Sequence, residues 1–220
     1  MIAAHRRRMN KLDSERVMIV DNSADFPKGS PVDLISVEID AKVAQALQRD
    51  ADLASAFGDK LQAREIKGDS RDHLIDNFRD IVLGGVAIGD AAVPGITARY
   101  KIPQPRTEQN LIASADAWFD DTAPPLEGLF IAAGLVADFR ANLIASKTAF
   151  QQARDNADSA DEHYGEAVGA LDALFREMME LSRQRAALVK LKYKNNPGKL
   201  AAWAIASHLE QPPKRPRPAQ

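Results

Sequence analysis

Alternating steps of three and four residues from Leu129 meet apolar side chains almost without exception as far as Leu188. They read Leu, Ala, Val, Phe, Leu, Ser, Phe, Ala, Ala, Ala, Tyr, Ala, Leu, Leu, Met, Leu, Arg, Leu, and only Ser146 and Arg185 interrupt the seam. An apolar repeat sustained over about eight heptads constrains the chain to a long helix with another helix lying along it. At ~1.5 Å per residue such a helix is roughly 90 Å long. The phase runs through Asp155-Asn156-Ala157-Asp158-Ser159, the one place where composition hints at a turn. A hairpin there would reset the register, so a continuous helix is expected. The seam around it is alanine, at 153, 157, 160 and 167, which lets a neighbouring helix approach closely.

The helix boundaries are marked as well. Asp120-Asp121-Thr122 offers capping oxygens, and Pro124-Pro125 suits a first turn, where a missing N–H is no loss. At the other end Lys190, Lys192 and Lys194 suit a helix C-terminus, Asn195 or Asn196 can take a left-handed cap, and Pro197 prevents continuation.

A second long helical region is expected over about 31–90, behind a Ser30 cap. Val32, Ile35, Ile39, Val43, Leu47, Ala54, Phe57 and Leu61 trace one face of it. Between Gln62 and His73 only Ile66 is strongly apolar, and Gly68-Asp69-Ser70 predicts a kink or short break before Leu74, Ile75, Phe78, Ile81 and Val82 resume the pattern. Residues 91–106 read as a Pro/Gly-punctuated connection and 107–119 as a short helix. Another short helix is expected over Leu12–Val20, and one over 197–210 around Trp203. No strand pattern and no tandem repeat is evident. The expected fold is all-α: an elongated, antiparallel, coiled-coil-like bundle in a single domain over 1–210. Its arms lie at about 31–90 and 124–194, its connector at 91–123, and a disordered basic tail at 211–220.

The chemistry is narrowed by what is missing. The chain has 220 residues and no cysteine, which excludes disulfides, thiolate metal sites and cysteine nucleophiles. No apolar run has the length of a signal peptide or a spanning helix, so a cytoplasmic location without membrane insertion is expected. Asp155–Glu166 has the length of a calcium loop but places Ala157 and Ala160 where a ligand and a sharp-turning glycine are needed. None of His5, His73, His163 and His208 follows a glutamate by three residues, so a di-iron helix pair is not indicated, and all four read as surface side chains. Gly85 and Gly89 form G-x-x-x-G with no preceding strand, which reads as helix packing or a frayed end. Neither a catalytic constellation nor a cofactor or metal site is expected.

Charge is the remaining signal. The net charge is −2, yet residues 1–16 carry five Lys/Arg against two acids, and residues 181–220 carry nine against one. The ends are basic and the body acidic. Arg183, Arg185, Lys190, Lys192, Lys194 and Lys199 form the basic C-terminal cluster, which suits a solvated helix end, an acidic protein partner or nucleic acid. Trp203 suits either a terminal clasp or an anchor for a neighbouring subunit.

The stretch YKNNPGKLAAWAIASHLE, behind ALDALFREMMEL, resembles the close of an uncharacterised family of bacterial proteins of about this length, with looser likeness near NSADFP and KIPQP. The resemblance implies no activity, ligand or residue role. The expectation is a non-enzymatic structural or scaffolding protein that forms a homo-oligomer or binds a protein partner through its long helical faces. The alternative is binding of a polyanion or nucleic acid at the basic C-terminal end.

Overall fold

The computed structural model describes residues 3–208. Among them lie seven helices and no strand, the all-α architecture expected. They are α1 (Ala3–Asp21), α2 (Pro31–Ile88), α3 (Ile96–Arg99), α4 (Glu108–Asp121), α5 (Leu126–Ala132), α6 (Phe139–Lys192) and α7 (Pro197–Ala206). No described helix is long and apolar enough to cross a membrane. The expected basic tail at 211–220 lies outside the described residues.

Contacts divide the chain into two compact units, one drawn from Met1–Ser55 with Gly165–Gln220 and the other from Ala56–Tyr164. In each, α2 and α6 run antiparallel. The first unit pairs Lys42 with Glu177 and Ser36 with Arg185, and the second pairs Lys60 and Arg64 with Asp161. The core of the second unit joins Leu74, Phe78 and Ile81 of α2 to Leu111 and Trp118 of α4, Phe130 of α5, and Phe139, Leu143 and Phe150 of α6. Its aromatic rings meet edge-on, Phe78 and Tyr100 both against Trp118. Gly84 is required by this packing: a Cβ there would stand 2.5 Å from Leu135 Cδ1 and 2.8 Å from Phe130 Cδ1.

The C-terminal arm differs from expectation at its start. It begins at Phe139 instead of about 124, because α5 ends in a Schellman motif that reverses the chain. Leu135 N–H donates to Phe130 O at 3.1 Å, Gly134 N–H donates to Ile131 O at 3.0 Å, and Gly134 has φ 107°. The break puts the first seam positions out of phase. Leu129, Ala132 and Val136 are exposed, and Phe130 is buried instead. Asp120, Asp121 and Thr122 cap nothing downstream; they close α4, where the Thr122 hydroxyl donates to Trp118 O at 2.7 Å. From Phe139 onward α6 runs through Asp155–Ser159 without a turn, as the register required.

The expected break in α2 near Gly68 is absent, since the helix is continuous over 58 residues. Its inward side follows a strict seven-residue spacing through Val32, Ile39, Ala46, Leu53, Lys60, Lys67, Leu74 and Ile81. Two lysines fill the apolar gap. Lys60 bonds Asp161 and lies over the Tyr164 ring, and Lys67 bonds Glu108 at 2.6 Å, so their stems cover the core while their charges reach partners. The stricter register also leaves Leu47, Ala54, Phe57 and Leu61 exposed, although a straighter apolar trace places them inward.

At the other end Asn196, with φ −126°, takes no left-handed cap; its side-chain oxygen accepts the Lys199 N–H and so caps α7. α1 is longer than expected, and Gly85 packs near Tyr100 while Gly89 follows the last residue of α2.

Candidate interaction surfaces

The basic C-terminal cluster does not survive as one surface. Arg185 is fully buried: it pairs with the buried Glu15 of α1 at 2.6 Å and donates to Ser36 Oγ of α2 at 3.3 Å. Ser182 Oγ donates to the same carboxylate, and Lys11 donates to Ser182 Oγ. The charge that interrupts the apolar seam is thus the polar join of three helices. Lys199 is drawn to Asp25 and over the Tyr193 ring. The Lys199 ammonium and then the Tyr193 hydroxyl bond the Asp25 carboxyl, holding it below its ordinary range; burial and that carboxylate push the Tyr193 phenol up. Trp203 is buried against Val189, Tyr193, Met18 and Phe26, so it is a clasp for the helix ends and not an exposed anchor. Arg183 remains outside, paired with Glu180, and Lys190, Lys192 and Lys194 are exposed.

One histidine departs from its expected surface position. His5 is buried, its Nε2 lies 2.7 Å from Asp172 Oδ1, and its ring stacks on Phe175 at 4.3 Å. The contacts His5–Asp172 and Glu15–Ser182 advance together along both helices, which makes α1 parallel to this part of α6. The basic N-terminal segment is thereby brought beside the basic half of α6. Between them opens a cleft of about 590 Å³ lined by Arg8, Lys11, Arg176, Met179, Glu180 and Arg183. Arg8, Lys11 and Arg176 were not among the residues singled out in the sequence, although the basic N-terminal composition was the available signal.

A second surface lies on α2. Leu34, Val37, Ala41, Ala44, Gln48 and Ala51 repeat at steps of three and four, all are exposed, and they occupy the side opposite Ile39, Ala46 and Leu53. Leu34 and Val37 are each 61% exposed. Glu38 and Arg49 flank this stripe on one side, and neither has an ionic partner among the described residues. The sequence signal was a helix apolar on two faces, of which the inward one draws attention first.

A smaller depression between α1 and α2 holds Asp13 with the Arg16–Asp40 pair. The depression of about 500 Å³ in the second unit has a single carboxylate, Asp80, among its lining residues. The stretch 155–166 is plain helix, and no group of three or more His, Asp or Glu among the described residues could hold a metal ion. No family model matches the chain, and no curated protein or solved structure matches it.

Proposed function

We propose that this is a non-enzymatic helical interaction protein that pairs with a second copy of itself through the exposed stripe of α2. The observation that carries the reading is the stripe itself, an apolar, small-residue 3/4 repeat on the solvent side of a helix whose opposite side already has its core. Charge selects the orientation. In an antiparallel pair Leu34 of one copy meets Ala51 of the other, Val37 meets Gln48, and Ala41 meets Ala44. This brings Glu38 of each copy beside Arg49 of the other. Both unpaired charges are then satisfied twice by one two-fold operation, the geometry of an isologous dimer. Alanines at the centre allow close approach.

Light-scattering mass across a concentration series tests the reading. Twice the chain mass is expected for the wild type, and Val37→Lys should move the midpoint of association at least tenfold higher in concentration. The substitution replaces an exposed residue, so the monomer keeps its fold. A wild type that stays at one chain mass at high concentration overturns the proposal.

A further inference from the structure

The cleft between α1 and α6 gathers four cations, two of which have no ionic partner among the described residues. Arg8, Lys11, Arg176 and Arg183 line it with one carboxylate, Glu180. That carboxylate is engaged by Arg183 at 2.7 Å, while Lys11 lies against Ser182 and, at 3.4 Å, Glu15. Arg8 and Arg176 have no ionic partner among the described residues. The helices are held parallel by buried contacts elsewhere, His5 with Asp172 and Arg185 with Glu15. Arg8 and Arg176 are therefore kept beside the other two cations by bonds they do not make, and their own charge is uncompensated.

We infer that this cleft binds a contiguous di- or triphosphate anion. Arg176 and Arg183 stand two turns apart, ~10 Å along α6, a span wider than one tetrahedral anion and suited to a short chain of them. Arginine forks and a lysine supply the donors such oxygens require. No aromatic ring lines the cleft, so a base would find nothing to stack on, which favours an inorganic phosphate chain over a nucleotide or single-stranded nucleic acid. The site uses α1 and α6 and leaves the α2 stripe untouched, so it stands whether or not the chain pairs with itself.

The test is thermal unfolding of the full chain in sodium tripolyphosphate, orthophosphate and sodium chloride at one ionic strength. At saturation, tripolyphosphate should raise Tm by roughly 3–6 °C above the chloride value, and orthophosphate by less. Arg8→Gln with Arg176→Gln should abolish the rise, while Lys194→Gln should keep it. Both arginines lack partners, so the variant folds, as far-ultraviolet circular dichroism would verify. Equal Tm in tripolyphosphate and chloride, or an undiminished rise in the double variant, overturns the inference. A rise with a mixed-sequence single-stranded oligonucleotide but none with tripolyphosphate also overturns it, in favour of a nucleic-acid surface.

Discussion

Arg185 shows why one interruption in an apolar seam is informative. A guanidinium with no exposure needs a buried anion, and Glu15 supplies it with Ser182 completing the carboxylate's bonds. Removing one partner leaves an uncompensated buried charge, so Arg185→Ala should lower unfolding stability by about 3–5 kcal/mol in urea denaturation. Replacing both residues with apolar side chains of similar volume should be much milder. Asp25 links residue chemistry to pH. Its folded pKa lies below the ordinary 3.8 because Lys199 and Tyr193 bond the carboxylate. Its contribution is therefore complete above the unfolded value and is lost as pH falls through the depressed folded value. In a Trp118→Phe background, acid titration of Trp203 fluorescence should show α7 loosening in that window, and Asp25→Asn should flatten the acid limb. Loosening that is identical in the Asn variant would remove Asp25 from the clasp.

For the elements, the apolar period foretold where α6 continues, because a turn at Asp155–Ser159 would have shifted the phase. It failed where chain reversal depends on backbone geometry. The Schellman motif needs only Gly134 at positive φ, a single residue that the 3/4 spacing passes over. It failed again in α2, where Lys60 and Lys67 hold heptad positions that a hydrophobicity pattern scores as gaps. A lysine stem can cover a core while its ammonium reaches Asp161 or Glu108, and sequence alone does not reveal those distant partners. Continuity of α2 has a direct consequence. Gly68 lies mid-helix with nothing within 4 Å of a Cβ position, so Gly68→Ala should stabilise the protein by ~0.5–1 kcal/mol in thermal or urea unfolding. Destabilisation by that substitution would mean that the helix is interrupted there.

At the scale of the whole molecule, the basic ends were legible in composition, but their use was not. Folding buries Arg185 and Trp203 and pairs Lys199 with Asp25; it leaves Lys190, Lys192 and Lys194 exposed and gathers further positive charge in a cleft completed by Arg8 and Lys11. Charge density along a sequence cannot distinguish a cation that finds an internal partner from one that does not. The α2 stripe escaped notice for a related reason: a helix apolar on two sides declares neither as the core until the tertiary partners are in place.

Pairing through that stripe is the central claim, and the absence of native cysteine makes it testable by site-directed disulfide formation. Leu34→Cys and Ala51→Cys are prepared as separate single variants, mixed, and oxidised under mild conditions. In the antiparallel pair residue 34 of one copy faces residue 51 of the other, whereas the two residues 34 lie about 25 Å apart. The mixture should yield the 34–51 heterodisulfide dimer, and the Leu34→Cys variant alone should stay monomeric under denaturing electrophoresis. Efficient self-linking of Leu34→Cys, or failure of the mixture to cross-link at concentrations where light scattering shows two chains, would contradict the account.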